Sequence, residues 1–142
     1  MGRMRDPKLA QLNPKFAVKA AAVLADLRGK GWDATIAEAW RSPASQLRKF
    51  RRGFSKVRWG FHCATTQGGK PDALAADIVD QRWYWRMPVL KLRLYRKHIM
   101  SSAKAHGLTS GATWRGFGLW GDFAHLQWKG ISIEEAKAGK RP

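Results

Sequence analysis

A chain of 142 residues, 44% hydrophobic with eight tryptophans, is long enough to close one hydrophobic core and too short for several. Its formal charge of +17, from 27 Lys and Arg against 10 Asp and Glu, excludes a basic partner and points to a polyanion: nucleic acid, lipopolysaccharide or an acidic cell-wall polymer. No apolar run of about 18 residues occurs, the N-terminus lacks the apolar stretch of a secretory signal, and the single Cys63 excludes an internal disulfide.

A short N-terminal arm, about residues 1–12, precedes the first helix. That helix starts at Pro14, with Asn13 as its cap and Phe16, Ala20, Val23 and Leu27 on one side, and Gly29 and Gly31 end it. Residues 33–40 read as a short strand. Ser42 then caps a second helix that opens at Pro43 and carries Gln46, Leu47 and Phe50. Basic residues gather at 48–58, at 82–97 and in the tail, where most read as a solvated face. The turn formers of 65–72 make a loop, and residues 73–79 a second strand.

A basic amphipathic helix runs from about Val89 to Ala105, with Leu90, Leu94, Ile99 and Met100 expected to face inward and Gly107 closing it. A glycine-rich segment, 107–121, leads to a last strand from Phe123. Ser132 and Glu135 then form a capping box for a short helix in the basic tail, about 131–142. No repeat or domain boundary interrupts the chain. The class is α+β, a small antiparallel sheet backed by helices in a single domain.

Four histidines occur. His98 and His106 lie on the basic helix and its end, where an exposed or capping role is expected. His62 and His125 lie beside turns or strands. Alternation along the last strand puts Ala124, Leu126 and Trp128 on one face and His125 and Gln127 on the other. Asp77 sits among Ala75, Ala76, Ile78 and Val79, and an ionised carboxylate is not buried in such a strand without a cation or strong hydrogen bonds. Asp80 points by parity to the Leu74 side, and Asp72 lies in the loop.

Two imidazoles and one carboxylate on neighbouring strands would give zinc three ligands and leave a fourth position open, the composition of a catalytic site. Asp122, three residues before His125 on the turn entering the strand, is then placed to act as general base and later as proton donor. The alternative for Asp122 is a turn aspartate bonding its own backbone. Cys63, directly after His62, reads as a small buried thiol rather than a ligand. Trp120 and Trp128 could wall the cleft, although core packing is the commoner role of such residues.

The chain resembles the zinc peptidases that include D-alanyl-D-alanine carboxypeptidases of the vancomycin-resistance type and the L-alanyl-D-glutamate endopeptidases used as phage endolysins. The resemblance rests on Trp40-Arg41-Ser42 followed by Gln46, then Phe61-His62, then Ala75-Ala76-Asp77-Ile78, then Asp122-Phe-Ala-His125. It spans roughly residues 15 to 130. It implies a hedgehog/DD-peptidase-like fold, zinc held by His62, Asp77 and His125, Asp122 as the catalytic carboxylate, and Arg41 with Ser42 and Gln46 on the substrate side. Two departures stand out: Gly60 replaces the family's Ser two residues before the His, and the Thr65–Asp72 loop lengthens the gap to the Asp, which leaves Asp72 as the alternative ligand.

The expected function is therefore a zinc-dependent peptidoglycan peptidase, a monomer acting on the stem peptide and drawn to acidic envelope polymers by its basic surface. A phage endolysin cutting the L-Ala–D-Glu bond leads, made in the host cytoplasm and acting in the periplasm after release. A D-alanyl-D-alanine carboxypeptidase would use the same site. A basic nucleic-acid-binding module explains the charge but not Asp77 or the Asp122/His125 pair.

Overall fold

The computed structural model describes residues 6–142. In chain order they form a 3-10 helix (Pro7–Gln11), α1 (Pro14–Gly29), β1 (Ala34–Glu38), α2 (Pro43–Arg51), a 3-10 turn (Phe61–Cys63), β2 (Ala75–Asp80), α3 (Val89–Ala105), β3 (Leu108–Ser110), β4 (His125–Trp128) and α4 (Ile133–Lys137). The strands make one four-stranded sheet in the order β1-β2-β4-β3, with every neighbouring pair antiparallel. α1 and α3 pack on each other and back the sheet, as the α+β class requires.

Local chemistry sets the helix starts. The Asn13 side-chain oxygen accepts the backbone N–H groups of Lys15 and Phe16, at 3.0 and 3.3 Å, before Pro14 begins α1. Ser42 caps α2 by accepting from Ser45, and Ser132 and Glu135 cap α4 reciprocally. α1 buries Phe16, Ala20, Val23, Leu24 and Leu27 on one face. Each fully buried large side chain there contributes about 2 kcal/mol, an upper estimate because unfolded chains already bury some surface.

α3 corrects the sequence reading. Its buried face is Leu92, Tyr95, Ile99, Ser102 and Ala103, while Leu90 and Leu94 are 77% and 46% exposed and Met100 is half-buried. The helix has apolar residues on two sides, and polar anchors choose between them. The buried Tyr95 hydroxyl donates to the Ile78 carbonyl, and Ser102 donates to Asp26 on α1. His98 accepts from the Trp32 indole, and His106 caps the helix and bonds Asp26.

β2 is the centre of the sheet, paired on both sides and buried along its whole length. Asp80 at its end is fully buried and satisfied by Arg82 and the Asp33 N–H. β4 begins at His125, two residues later than expected, because Phe123 and Ala124 complete the preceding turn. Both ends of the described segment are docked. Asp6 accepts from Thr35 and Ile36, Leu12 bridges to Ala73, and Arg141 pairs with Asp72 at 3.0 Å. Among the described residues, no helix is long and apolar enough to cross a membrane.

Candidate metal centre and its cleft

Strand register builds the centre. Asp77 on β2 lies directly opposite His125 on β4, so their side chains share one face of the sheet. His62 arrives from the 3-10 turn, which is tied down on both flanks: the His62 carbonyl accepts from Arg41 N–H and the Phe61 carbonyl from Leu74 N–H, each at 2.9 Å. One nitrogen from each histidine and one Asp77 oxygen all lie within 4.8 Å of one another.

The remaining nitrogens are fixed from behind. His62 Nδ1 lies 2.6 Å from the Ala39 carbonyl, which only accepts, so the proton sits on Nδ1 and the Nε2 lone pair faces Asp77 Oδ1 at 3.5 Å. His125 Nε2 donates to Gln127 Oε1 at 2.9 Å, which turns its Nδ1 toward the same oxygen at 3.3 Å. Such outer hydrogen bonds are the usual means of setting the tautomer of a ligating imidazole. Asp77 Oδ1 itself is buried and, among the described residues, has no hydrogen-bond partner.

Two lone pairs aimed at an orphaned carboxylate oxygen repel one another, and burying such an oxygen unsatisfied is costly. A cation between the three groups removes both penalties, so these residues fit a metal ion. The electrostatics agree. Burial works against an ionised Asp77, but the two imidazoles, when protonated, outweigh it and hold the carboxyl well below its usual range. Burial would likewise depress His125, yet Asp77 and Asp122 raise it. A pocket that attracts a proton this way also attracts a metal ion, which displaces the proton.

Asp77, not Asp72, joins the histidines, since Asp72 is spent on Arg141. Cys63 is buried outside the cluster, and burial pushes its thiol up, away from the reactive thiolate form.

Asp122 stands beside the centre, its Oδ2 3.9 Å from His125 Nδ1. Among the described residues nothing donates a hydrogen bond to its carboxylate, so it is not a turn aspartate bonding its own backbone. Burial, aided by Asp77, pushes this carboxyl above its usual range despite His125. Two glycines let the turn come this close. A side chain on Gly111 would meet the Asp122 carbonyl at 2.8 Å and the His125 Cβ at 3.1 Å, and one on Gly121, whose φ is +65°, would meet the Ala112 carbonyl oxygen at 2.2 Å.

These groups lie in an open cleft of about 290 Å³. Arg41 lines it, paired with Glu38 and donating to Gln46 Oε1, while its buried Nε has no hydrogen-bond partner among the described residues. Gln46 is buried, and its amide nitrogen donates to Ser55 and to the Val57 carbonyl, so it clamps Arg41 to the 55–57 loop. Ser42 is taken up by its capping bond and does not line the cleft. Trp120 and Trp128 pack on the core; the aromatic wall is Trp114, 5.0 Å from the His125 ring, with Phe117 beyond it. Sequence analysis did not place Trp114 or Phe117 on the cleft, where the signal was the run of turn-forming glycines around Trp114, and it read Lys49 and Lys56, also on the cleft, as part of a solvated basic face.

No protein-family model and no curated protein matches the sequence. Solved structures do. The chain is similar to an L-Ala D-Glu endopeptidase, ChiX of Serratia marcescens, at 19% identity and a TM-score of 0.58 over 85% of this chain and 83% of that one. It is similar to the LD-carboxypeptidase LdcB at 17% identity and 0.55, over 96% and 76%. A vancomycin-resistance D,D-pentapeptidase VanY variant in complex with Zn(II) matches at 14% and 0.50, over 89% and 76%. At these identities the likeness is one of architecture, and the fold of this chain is the one that these peptidases share.

Proposed function

We propose that the chain is a zinc-dependent peptidoglycan peptidase of the phage-endolysin type that cuts the L-Ala–D-Glu bond of the stem peptide. The observation that carries this is the convergence of His62 Nε2, His125 Nδ1 and the orphaned Asp77 Oδ1 at the floor of a cleft, with a second carboxylate, Asp122, beside them 3.9 Å from His125 Nδ1. The shared architecture with ChiX and with a Zn(II)-bound VanY supports both the metal and the substrate class.

His62, Asp77 and His125 would hold zinc, which supplies a Lewis acid for the scissile carbonyl and the attacking water. Asp122 takes the proton from that water and returns it to the leaving amine. Its raised proton affinity suits both halves of the task. Arg41, held in place by Gln46, offers its guanidinium to a substrate carboxylate. Because Glu38 already shares Arg41, Lys49 and Lys56 add cations on the same cleft without breaking that pair. The +17 charge would concentrate the enzyme at an acidic envelope.

A D-alanyl-D-alanine carboxypeptidase is the second reading, favoured by the likeness to VanY. Digestion of purified peptidoglycan with mass analysis of the fragments, before and after chelation, decides. New N-terminal D-Glu that vanishes on chelation is expected; released D-alanine supports the second reading, and no fragment in either state overturns both.

A further inference from the structure

The two leucines that the fold turns away from the core lie on a surface that the peptidase chemistry does not use. Leu90 and Leu94, one helical turn apart, share the outer face of α3 with Arg93 and Lys97. Val89, 58% exposed, adjoins them. The turn before the helix adds Trp85 at 53%, Tyr84, whose φ of 53° is unusual for a side-chain-bearing residue, and Arg86. Among the described residues, Arg86, Lys91, Arg93 and Lys97 form no ion pair. From Gln81 to Gly121 the chain contains no acidic residue at all.

We propose that this face, Tyr84 to Lys97, docks on an anionic lipid surface. Charge complementarity alone would suit any polyanion, but the cations here are interleaved with large exposed apolar side chains. Those gain nothing from a hydrated polymer and gain directly by entering the headgroup–acyl boundary. Trp and Tyr favour that boundary, and Lys and Arg stems can lie along it with their charges in the headgroups. The inference does not rest on the peptidase reading.

Co-sedimentation of the full chain with vesicles of phosphatidylglycerol and phosphatidylethanolamine, against vesicles of phosphatidylcholine, tests it. Binding to the anionic vesicles alone is expected. It should weaken on the order of tenfold in Leu90→Ser/Leu94→Ser, given the apolar area lost. Arg93→Gln/Lys97→Gln should weaken it as well. All four residues are exposed, so both variants should melt with wild type. Equal binding to the two vesicle types, or unchanged binding by the serine variant, overturns the proposal. A wild-type dimer in sedimentation that the serine variant loses would assign the face to a second copy and overturn it too.

Discussion

The floor of the cleft is made by paired backbone, its rim by turns. On the floor, Asp77 and His125 are fixed by register between two strands, and His62 by backbone bonds on either side, so their positions follow from sheet geometry. On the rim, Asp122 depends on a turn that closes only because Gly111 and Gly121 lack side chains. Both carboxylates are surrounded by similar groups, yet Asp77 is driven toward the charged form and Asp122 toward the neutral one. The difference lies in partners. Asp77 sits between two imidazoles, whereas Asp122 is half-buried with one histidine at 3.9 Å and, among the described residues, no hydrogen-bond donor. The floor is thus suited to hold a cation and the rim to move a proton.

The largest effect should come from breaking the floor. His125→Ala is expected to strip the metal, abolish turnover by more than about 10⁴-fold and lower the melting temperature, because metal binding adds to folding free energy. Elemental analysis should find about one zinc per wild-type chain and none in the variant. Zinc-free active wild type would rule out a metal floor.

Breaking the rim should separate the two functions. Asp122→Ala is expected to keep its zinc and its fold and to lose about 10² to 10⁴ in kcat, or roughly 3 to 5 kcal/mol of barrier. KM should change little, since the proton moves in the transition state. Near-normal turnover would remove Asp122 from the reaction, and a metal-free variant would make it a ligand instead.

The smallest effect should come from loosening the floor from behind. Gln127→Leu removes the acceptor that orients His125, and about 10- to 100-fold weaker zinc binding is expected. Turnover at saturating zinc should stay close to wild type. A variant that binds zinc as tightly as wild type would show that strand register alone positions the imidazole.

Much of this was legible in the residues. Caps at Asn13, Ser42 and Ser132 are local hydrogen-bond devices, and the face of α1 follows from one unambiguous apolar stripe. Alternation placed His125 and Gln127 together, and a carboxylate amid alanine, isoleucine and valine announced a buried charge at Asp77. What the chain by itself could not decide was everything that depends on contacts distant in sequence. Which stripe of α3 turns inward was settled by Tyr95 reaching Ile78 and Ser102 reaching Asp26. Pairing with β4 brings Asp77 beside His125, while Arg141 from the far end of the chain takes Asp72. Propensity and parity act over a few residues and fix a side chain's local direction, but only the packed structure brings His62, fifteen residues from Asp77 across a loop, to face the same oxygen as His125.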